Sequence, residues 1–464
     1  MLLDLDLKES SKLAVIDSDN ATLSYGQLTD FIELLAEKLP ARSFIFVMST
    51  NNIGSVAWSI GLMGAHHVPL LLNSKMDPYL LGNLRSEYQP NYICVEEDQV
   101  ALFQLPIVMR AYGYALLRAS RSKVEMYDEL SHLLPTSGST GSPKLVRHSY
   151  LNIYAQGRNI ASFFELSPQD LPLLVLPLYY TMGLSVVFSH LAIGATILIT
   201  NLSMTDRKFW DFFKTQKATS FTGVPYSYEI LRMMRFDRLG IDCLNLLTQG
   251  GGRLSETVNR YFVDYCDENN IKWIATYGQT EGTARMAYLP AELAEIKLGS
   301  IGRAIPEGEL FLLDEQGERI LKAHRQGRLY YKGPNVTLGY AQHRCDLALQ
   351  DSFGKCLATG DLAYFDNDGC YFITGRESRF LKLYGARIGL DDCEELIKNV
   401  YQIESACTGN DRCLYAYITD PYLFNDVRRL LIQKTGIMAR AIQVKVVDCI
   451  PKNESGKILY SVLS

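Results

Sequence analysis

Short apolar runs alternate with amphipathic stretches along most of the 464 residues. SFIFVMS (43–49) has no polar face to turn to water, so it predicts a buried strand. NNIGSVAWSIGLMGAHH (51–67) predicts a helix, and VPLLLN (68–73) the next strand. NYICVEE, LLVLP, ATILIT, SFTGVP, LNLLTQGG and KWIATYG continue the pattern. Strands alternating with helices imply parallel sheets covered by helices, an α/β class. Past residue 299 the texture changes: GELFLLDEQGERI, GRLYYKGP and CYFITGR predict a small region of hairpin-linked antiparallel strands.

Beyond Arg376 the pattern predicts a small, separable α+β unit. RFLKLYGARIGL reads as a strand pair, and DDCEELIKNV as a helix whose acidic N-terminal residues suit the helix dipole. RCLYAYIT is the next strand, NDVRRLLIQKTG a helix ended by Gly436, and IQVKVVDCI a final strand. The expected division is a large N-terminal domain over 1–377 and a small mobile C-terminal domain over 378–464, joined by a short hinge at Glu377-Ser378. No internal repeat or low-complexity linker interrupts it.

One stretch is apolar enough to suggest a membrane. Residues 171–200 contain no Asp, Glu, Lys or Arg, and that length would span a bilayer. Pro172, Pro177, Gly183 and Gly194 punctuate it into strand, turn, helix and strand, which argues for a buried core segment. Bulk composition changes little: 47% hydrophobic and 21% charged residues suit a packed globular chain. The net charge of -5 gives no reason to expect nucleic acid or an anionic membrane as partner. MLLDLDLKESSK lacks the basic start and apolar run of a signal peptide, and the ten cysteines include no C-x-x-C pair. Free thiols, no zinc site and a cytoplasmic location are the expectation.

Five stretches carry candidate chemistry. LPTSGSTGSPKLV (134–146) is rich in glycine and hydroxyl groups, which let backbone N–H groups approach an anion, and ends on Lys144. The G-x-x-x-x-G-K-[ST] pattern does not fit, because Pro143 precedes Lys144 and Leu145 follows it. Alone, the cluster is equally a solvated loop. LLTQGGGRLS (246–255) runs a strand into three glycines, bare backbone for a flat ligand. TYGQTEG (276–282) offers Glu281, an oxygen ligand suited to Mg2+ beside phosphates. ATGDLAYFDNDGCYFITGR (358–376) places Asp361 after one Gly turn and Arg376 after another; a carboxylate suits a ribose diol. PKNESGKIL (451–459) presents Lys457 after a glycine.

In this order and spacing, these motifs resemble the adenylate-forming (ANL) superfamily over roughly residues 15 to 460: acyl-CoA synthetases, amino-acid adenylation domains and luciferases. GSIGRAIPEGEL and YKGPNVTLGY match as well. The resemblance implies ATP-dependent activation of a small carboxylic acid as acyl-adenylate. Transfer to a thiol of coenzyme A or carrier-protein phosphopantetheine follows, with release of AMP. It further implies that Thr136, Ser137, Gly138, Ser139, Thr140, Gly141 and Lys144 wrap the β- and γ-phosphates. Thr280 then contacts the α-phosphate and Glu281 the Mg2+, while Gly250, Gly251, Gly252 and Tyr277 flank the adenine. Asp361 and Arg376 hold the ribose. Lys457 bridges carboxylate and α-phosphate in one orientation of the small domain. Rotation about Ser378, where relatives often carry Asp or Lys, brings Lys382 in for the second half-reaction.

The pattern departs from its relatives in places. Acyl-CoA synthetases commonly carry an aromatic-histidine pair where this chain has Tyr179-Tyr180, and a phenol does not titrate near neutral pH. Amino-acid-activating relatives place an Asp in this region, and none lies between Asp170 and Asp206, which favours an acid without an α-amino group. The acid pocket is expected at Tyr179, Tyr180, Met182, Tyr226, Thr283 and Ala284, with Arg285 facing either an acidic substrate or the surface. The texture of YYTMGLSVVFSHL and RFLKLYGARIGL is similar to that of ligases from bacterial surface-polysaccharide gene clusters, often beside an acyl carrier protein. Two alternatives stay open: transfer of the adenylate to an amine, and a non-catalytic adenylate-binding protein. Neither the acid, the acceptor nor the oligomeric state is legible.

Overall fold

The computed structural model describes residues 2–39, 41–135, 144–377, 379–383, 386–410, 412–435, 438–453 and 456–463. The chain forms two compact units, Met1–Leu310 with Tyr331–Leu357, and Phe311–Tyr330 with Ala358–Ser464.

The first unit is built on two sheets. In the described residues, one has eight strands, centred on Phe44–Ser49 between Val68–Asn73 and Tyr92–Glu96, both parallel to it. All six residues of Phe44–Ser49 are buried. Phe44, Phe46 and Met48 enter one apolar cluster, while Ile45 and Val47 enter another on the opposite face. A strand covered on both faces must be apolar throughout, which explains the unbroken SFIFVMS run. The helix Ile53–Gly64 follows, capped by Asn52, whose side chain accepts from the Ser55 amide at 2.9 Å. Both edges of this sheet are antiparallel: Leu130–Pro135 pairs with Leu145–Ser149, and Tyr92–Glu96 with Tyr114–Arg118. The alternating α/β pattern did not reveal these antiparallel pairings.

In the described residues, the other sheet has nine strands. Its parallel core runs through Lys272–Tyr277, Leu246–Gln249, Ser220–Gly223, Pro172–Leu174, Ile197–Ile199 and Leu13–Asp17. The charge-free stretch resolves as strand Pro172–Leu174, helix Thr181–Ile193 and strand Ile197–Ile199, as its punctuation implied. Gly183 is required there, since a Cβ would stand 2.3 Å from the Pro177 carbonyl oxygen. Among the described residues no helix is long and apolar enough to cross a membrane. All ten cysteines are free thiols.

In the second unit, residues 361–365 pair antiparallel with Tyr371–Arg376, and Phe380–Leu383 with Ala386–Gly389. Ser405–Asn410, Cys413–Ile418 and Ile442–Val446 form a sheet against the helices Leu390–Tyr401 and Phe424–Thr435, with Ile397, Leu414, Val427 and Leu431 in its core. Arg379 pins the first of these helices. Its guanidinium meets Asp391 and Glu394, each at 2.7 Å, and lies 3.7 Å from the Tyr460 ring centroid. Burial works against the Arg379 charge, but the two carboxylates outweigh it and raise its pKa. The expected hinge residue Ser378 and the cap Gly436 lie outside the described residues.

Candidate active site

The strand Lys272–Tyr277 ends in a tight turn that carries the first candidate residues. Gly278 is essential to it: a Cβ there would lie 1.6 Å from the Ala284 carbonyl oxygen. Thr280, Glu281 and Gly282 then form one 3-10 turn. Thr283 and Ala284 follow with φ of 47° and 73°, left-handed conformations that strain residues with a Cβ.

Asn335 holds this strained turn. Its Nδ2 donates to the carbonyls of Gly282 (2.7 Å) and Arg285 (3.0 Å), and its Oδ1 accepts from the Tyr331 hydroxyl at 2.7 Å. The Thr283 hydroxyl donates to the Asn335 carbonyl at 2.6 Å. Asn335 lies in YKGPNVTLGY, a motif matched by sequence without a role; its use appears only when the fold brings it to TYGQTEG. Asn335→Leu leaves buried polar groups unpaired, so a stability loss of roughly 3 kcal/mol is expected. Urea unfolding that moved by less than about 1 kcal/mol would refute the brace.

A second residue that sequence reasoning passed over is Tyr340. Its hydroxyl donates to Glu281 Oε1 at 2.8 Å, and the Lys144 ammonium lies 5.1 Å from its ring centroid. Burial, then the Glu281 charge, raises the Tyr340 pKa, so the phenol stays protonated as a donor. Lys144 and Glu281, 137 positions apart in sequence (281 − 144), therefore meet on one ring. The donor set fits magnesium, which takes one or two carboxylates and completes its shell with phosphates and water. Among the described residues no cluster of three His, Cys, Asp or Glu offers a competing metal site. Thr136, Ser137, Gly138, Ser139, Thr140 and Gly141 lie outside the described residues.

Gly250, expected beside the adenine, is required by close packing. A Cβ there would come within 2.5 Å of Met182 Cε and 2.6 Å of Thr276 Oγ1. Gly251 has φ +81°, and the Gln249 side chain donates to the Gly252 carbonyl at 2.7 Å. Tyr179 and Tyr180 sit half-buried with ring centroids 4.8 Å apart, Tyr180 at the start of the Thr181–Ile193 helix. Met182, Thr283 and Ala284 are buried, whereas Tyr226 is 48% exposed. Tyr277 is half-buried and its carbonyl accepts from the Met286 amide at 2.8 Å. Arg285 faces no surface; it is 1% exposed.

In the second unit, Asp361 and Arg376 are direct cross-strand partners, with Nε to Oδ1 at 3.4 Å. The sequence suggested two Gly turns; both residues instead sit on paired strands, because Gly360 takes φ +75° within the strand and a register shift follows at Leu362. The Asp361 side chain is 8% exposed and that of Arg376 63%. Lys457 projects from a tight turn: Asn453 Oδ1 accepts from its amide at 2.9 Å, and Gly456 takes φ +76°. Lys382 lies on a strand opposite Arg387; its side chain is outside the described residues.

The AMP-binding enzyme family matches residues 7–341. Over 345 residues the chain is 25% identical to 2-succinylbenzoate–CoA ligase of Geobacillus sp. (strain WCH70), covering 72% of this chain and 68% of that protein. It is 27% identical over 352 residues to 4-hydroxybutyrate–CoA ligase 1 of Metallosphaera sedula, covering 70% and 60%. Among solved structures, o-succinylbenzoate CoA synthetase from Bacillus subtilis in complex with its acyl-adenylate intermediate shares the fold, with a TM-score of 0.81 at 21% identity over 100% of this chain and 97% of that one. ATP-bound MatB from Rhodopseudomonas palustris gives 0.79 at 20% identity, covering 100% and 97%. With the family match spanning residues 7–341, which include Lys144, Glu281 and Tyr340, the chain belongs to the AMP-binding enzyme family.

Proposed function

We propose that this chain is an AMP-forming acid–thiol ligase. A carboxylate oxygen attacks the α-phosphorus of ATP, the bond to the β-phosphate breaks, and pyrophosphate leaves. A thiol sulfur then attacks the acyl carbon, its proton is lost, and AMP leaves. The observation that carries this reading is the meeting of Lys144 and Glu281 on Tyr340: a cation suited to phosphate beside a carboxylate suited to magnesium. The names of the CoA ligases to which the chain is similar support it.

In this reading Lys144, with residues 136–141, holds the β- and γ-phosphates, and Thr280 contacts the α-phosphate. Glu281, aimed by Tyr340, is the residue that holds Mg2+, whose charge offsets that of the phosphates. Gly250 to Gly252 and Tyr277 leave a bare surface for adenine. Tyr179, Tyr180, Met182, Thr283 and Ala284 line the acid pocket, with Tyr226 at its exposed end. Asp361, desolvated and backed by Arg376, is suited to accept from two ribose hydroxyls. Asp361→Ala is expected to weaken ATP binding by about 10- to 100-fold, as loss of a charged hydrogen-bond acceptor does. Unchanged nucleotide affinity by calorimetry would clear it of that role. The tail 378–464 turns about Ser378, which presents Lys457 and Lys382 in succession; the Arg379 clamp supports a boundary just before it.

The acceptor is coenzyme A or the phosphopantetheine of an acyl carrier protein. ATP–pyrophosphate exchange with a panel of small acids tests the first step. AMP release on adding coenzyme A, a phosphopantetheinylated carrier or an amine then separates the acceptors. Exchange with no acid in the panel would reject the ligase reading.

A further inference from the structure

Arg285 is the least explained charge in the first unit. It is 1% exposed, and its Nε and both terminal nitrogens have no hydrogen-bond partner among the described residues. Its guanidinium lies 4.7 Å from the Phe164 ring centroid, with Tyr228 and His190 in electrostatic range. Neither offers a carboxylate, and the buried Nε2 of His190 is itself without a hydrogen-bond partner among the described residues. Burial pulls the Arg285 pKa down to about 9, which leaves it charged at neutral pH.

An unpaired guanidinium away from water is strongly unfavourable, and an apolar side chain of similar volume would pack at less cost. The fold nevertheless anchors this residue closely. The Arg285 carbonyl is held by Asn335, and its neighbours Thr283 and Ala284 are strained into the left-handed region. Arg285 also follows Thr280 and Glu281 by only a few positions, on the same turn. A planar fork of donors with no protein partner suits a planar oxyanion held by two hydrogen bonds.

We propose that Arg285 seats a second carboxylate of the acid, so that the substrate is a dicarboxylate activated at its other end. This deepens the ligase reading and rests on it for which carboxylate reacts. It also accounts for a pocket lacking an Asp for an ammonium group: the polar end of the acid is negative and its counter-charge is Arg285.

The test compares α,ω-dicarboxylates, malonate through suberate, with the matching monocarboxylates, propanoate through octanoate, at equal ionic strength. Thermal unfolding of the full chain is read without nucleotide, and ATP–pyrophosphate exchange is read separately. At least one dicarboxylate is expected to raise Tm by several degrees more than its monocarboxylate partner and to exceed it by ~10²-fold in kcat/KM. Arg285→Met is expected to raise the ligand-free Tm by about 3 °C while abolishing the dicarboxylate preference. Absence of any dicarboxylate preference in the wild-type shifts, or an equal response to phosphate and sulfate, overturns the proposal, whether or not the variant folds. A lower ligand-free Tm for Arg285→Met also overturns it, because the guanidinium would then be serving the fold. Arg285-dependent dicarboxylate binding without exchange supports the anion seat and rejects the ligase reading. Exchange with monocarboxylates alone does the reverse.

Discussion

Lys457→Ala is expected to lower adenylate formation by ~10³-fold, the loss seen when one preorganised charge is removed from a developing transition state. As carboxylate and triphosphate approach, negative charge accumulates at the α-phosphoryl group, and in the proposed reading Lys457 is the cation that meets it. Its turn is built for presentation, with the amide bonded to Asn453, Gly456 in the left-handed region, and the side chain exposed. Thioester formation from a supplied acyl-adenylate should survive, because that step attacks the acyl carbon and leaves the bonds to phosphorus intact. Lys382→Ala should behave oppositely, impairing transfer more than activation. Pyrophosphate exchange and AMP release, measured separately on each variant, decide the matter. Equal losses in both half-reactions for both variants would remove the division of labour, and with it the two-orientation argument for the tail.

Acidification is expected to unfold the protein well above the range where carboxylates protonate. Burial lowers the pKa of His67 and His190 from 6.5 to about 4 and that of His148 to about 3, and places His132 well below its ordinary value. The unfolded chain takes up protons near pH 6.5 while the folded chain still refuses them, so stability is full above pH 6.5 and falls as pH drops toward 4. At pH 5 each of His67, His148 and His190 removes on the order of 2 kcal/mol, and His132 adds loss of the same sign. His132 and His148 stack with centroids 4.4 Å apart, and His148 Nδ1 lies 3.3 Å from the Thr283 hydroxyl. A cation in that pair therefore disturbs the strained turn directly. Urea midpoints at pH 7, 6 and 5 provide the measurement. A flat midpoint between pH 6.5 and 5 would contradict the burial of these imidazoles.

The element types were legible wherever burial imposes a periodicity. Residues 44–48 are apolar at every position because both faces are covered, and the Thr181–Ile193 helix is charge-free because it is enclosed. Ser405–Asn410 escaped notice. SACTGN has weak strand propensity, and its pairing with Cys413–Ile418 supplies the order it lacks. The braces of the site were equally hidden. Asn335 and Tyr340 resemble ordinary loop and strand residues until the fold sets them against a turn some 50 positions earlier, where Tyr340 and Glu281 are separated by 59 residues.

By itself, the sequence determined the chemistry on offer: which residue types can cradle phosphate, hold magnesium and neutralise an α-phosphoryl group, and in what order along the chain. Only the tertiary structure decided which of them meet. It put Lys144 and Glu281 on one phenol, Asp361 opposite Arg376, and the Arg285 guanidinium out of water with no hydrogen-bond partner among the described residues. The physical reason is that composition and periodicity are local properties, while desolvation and hydrogen-bond satisfaction depend on neighbours far away in the chain.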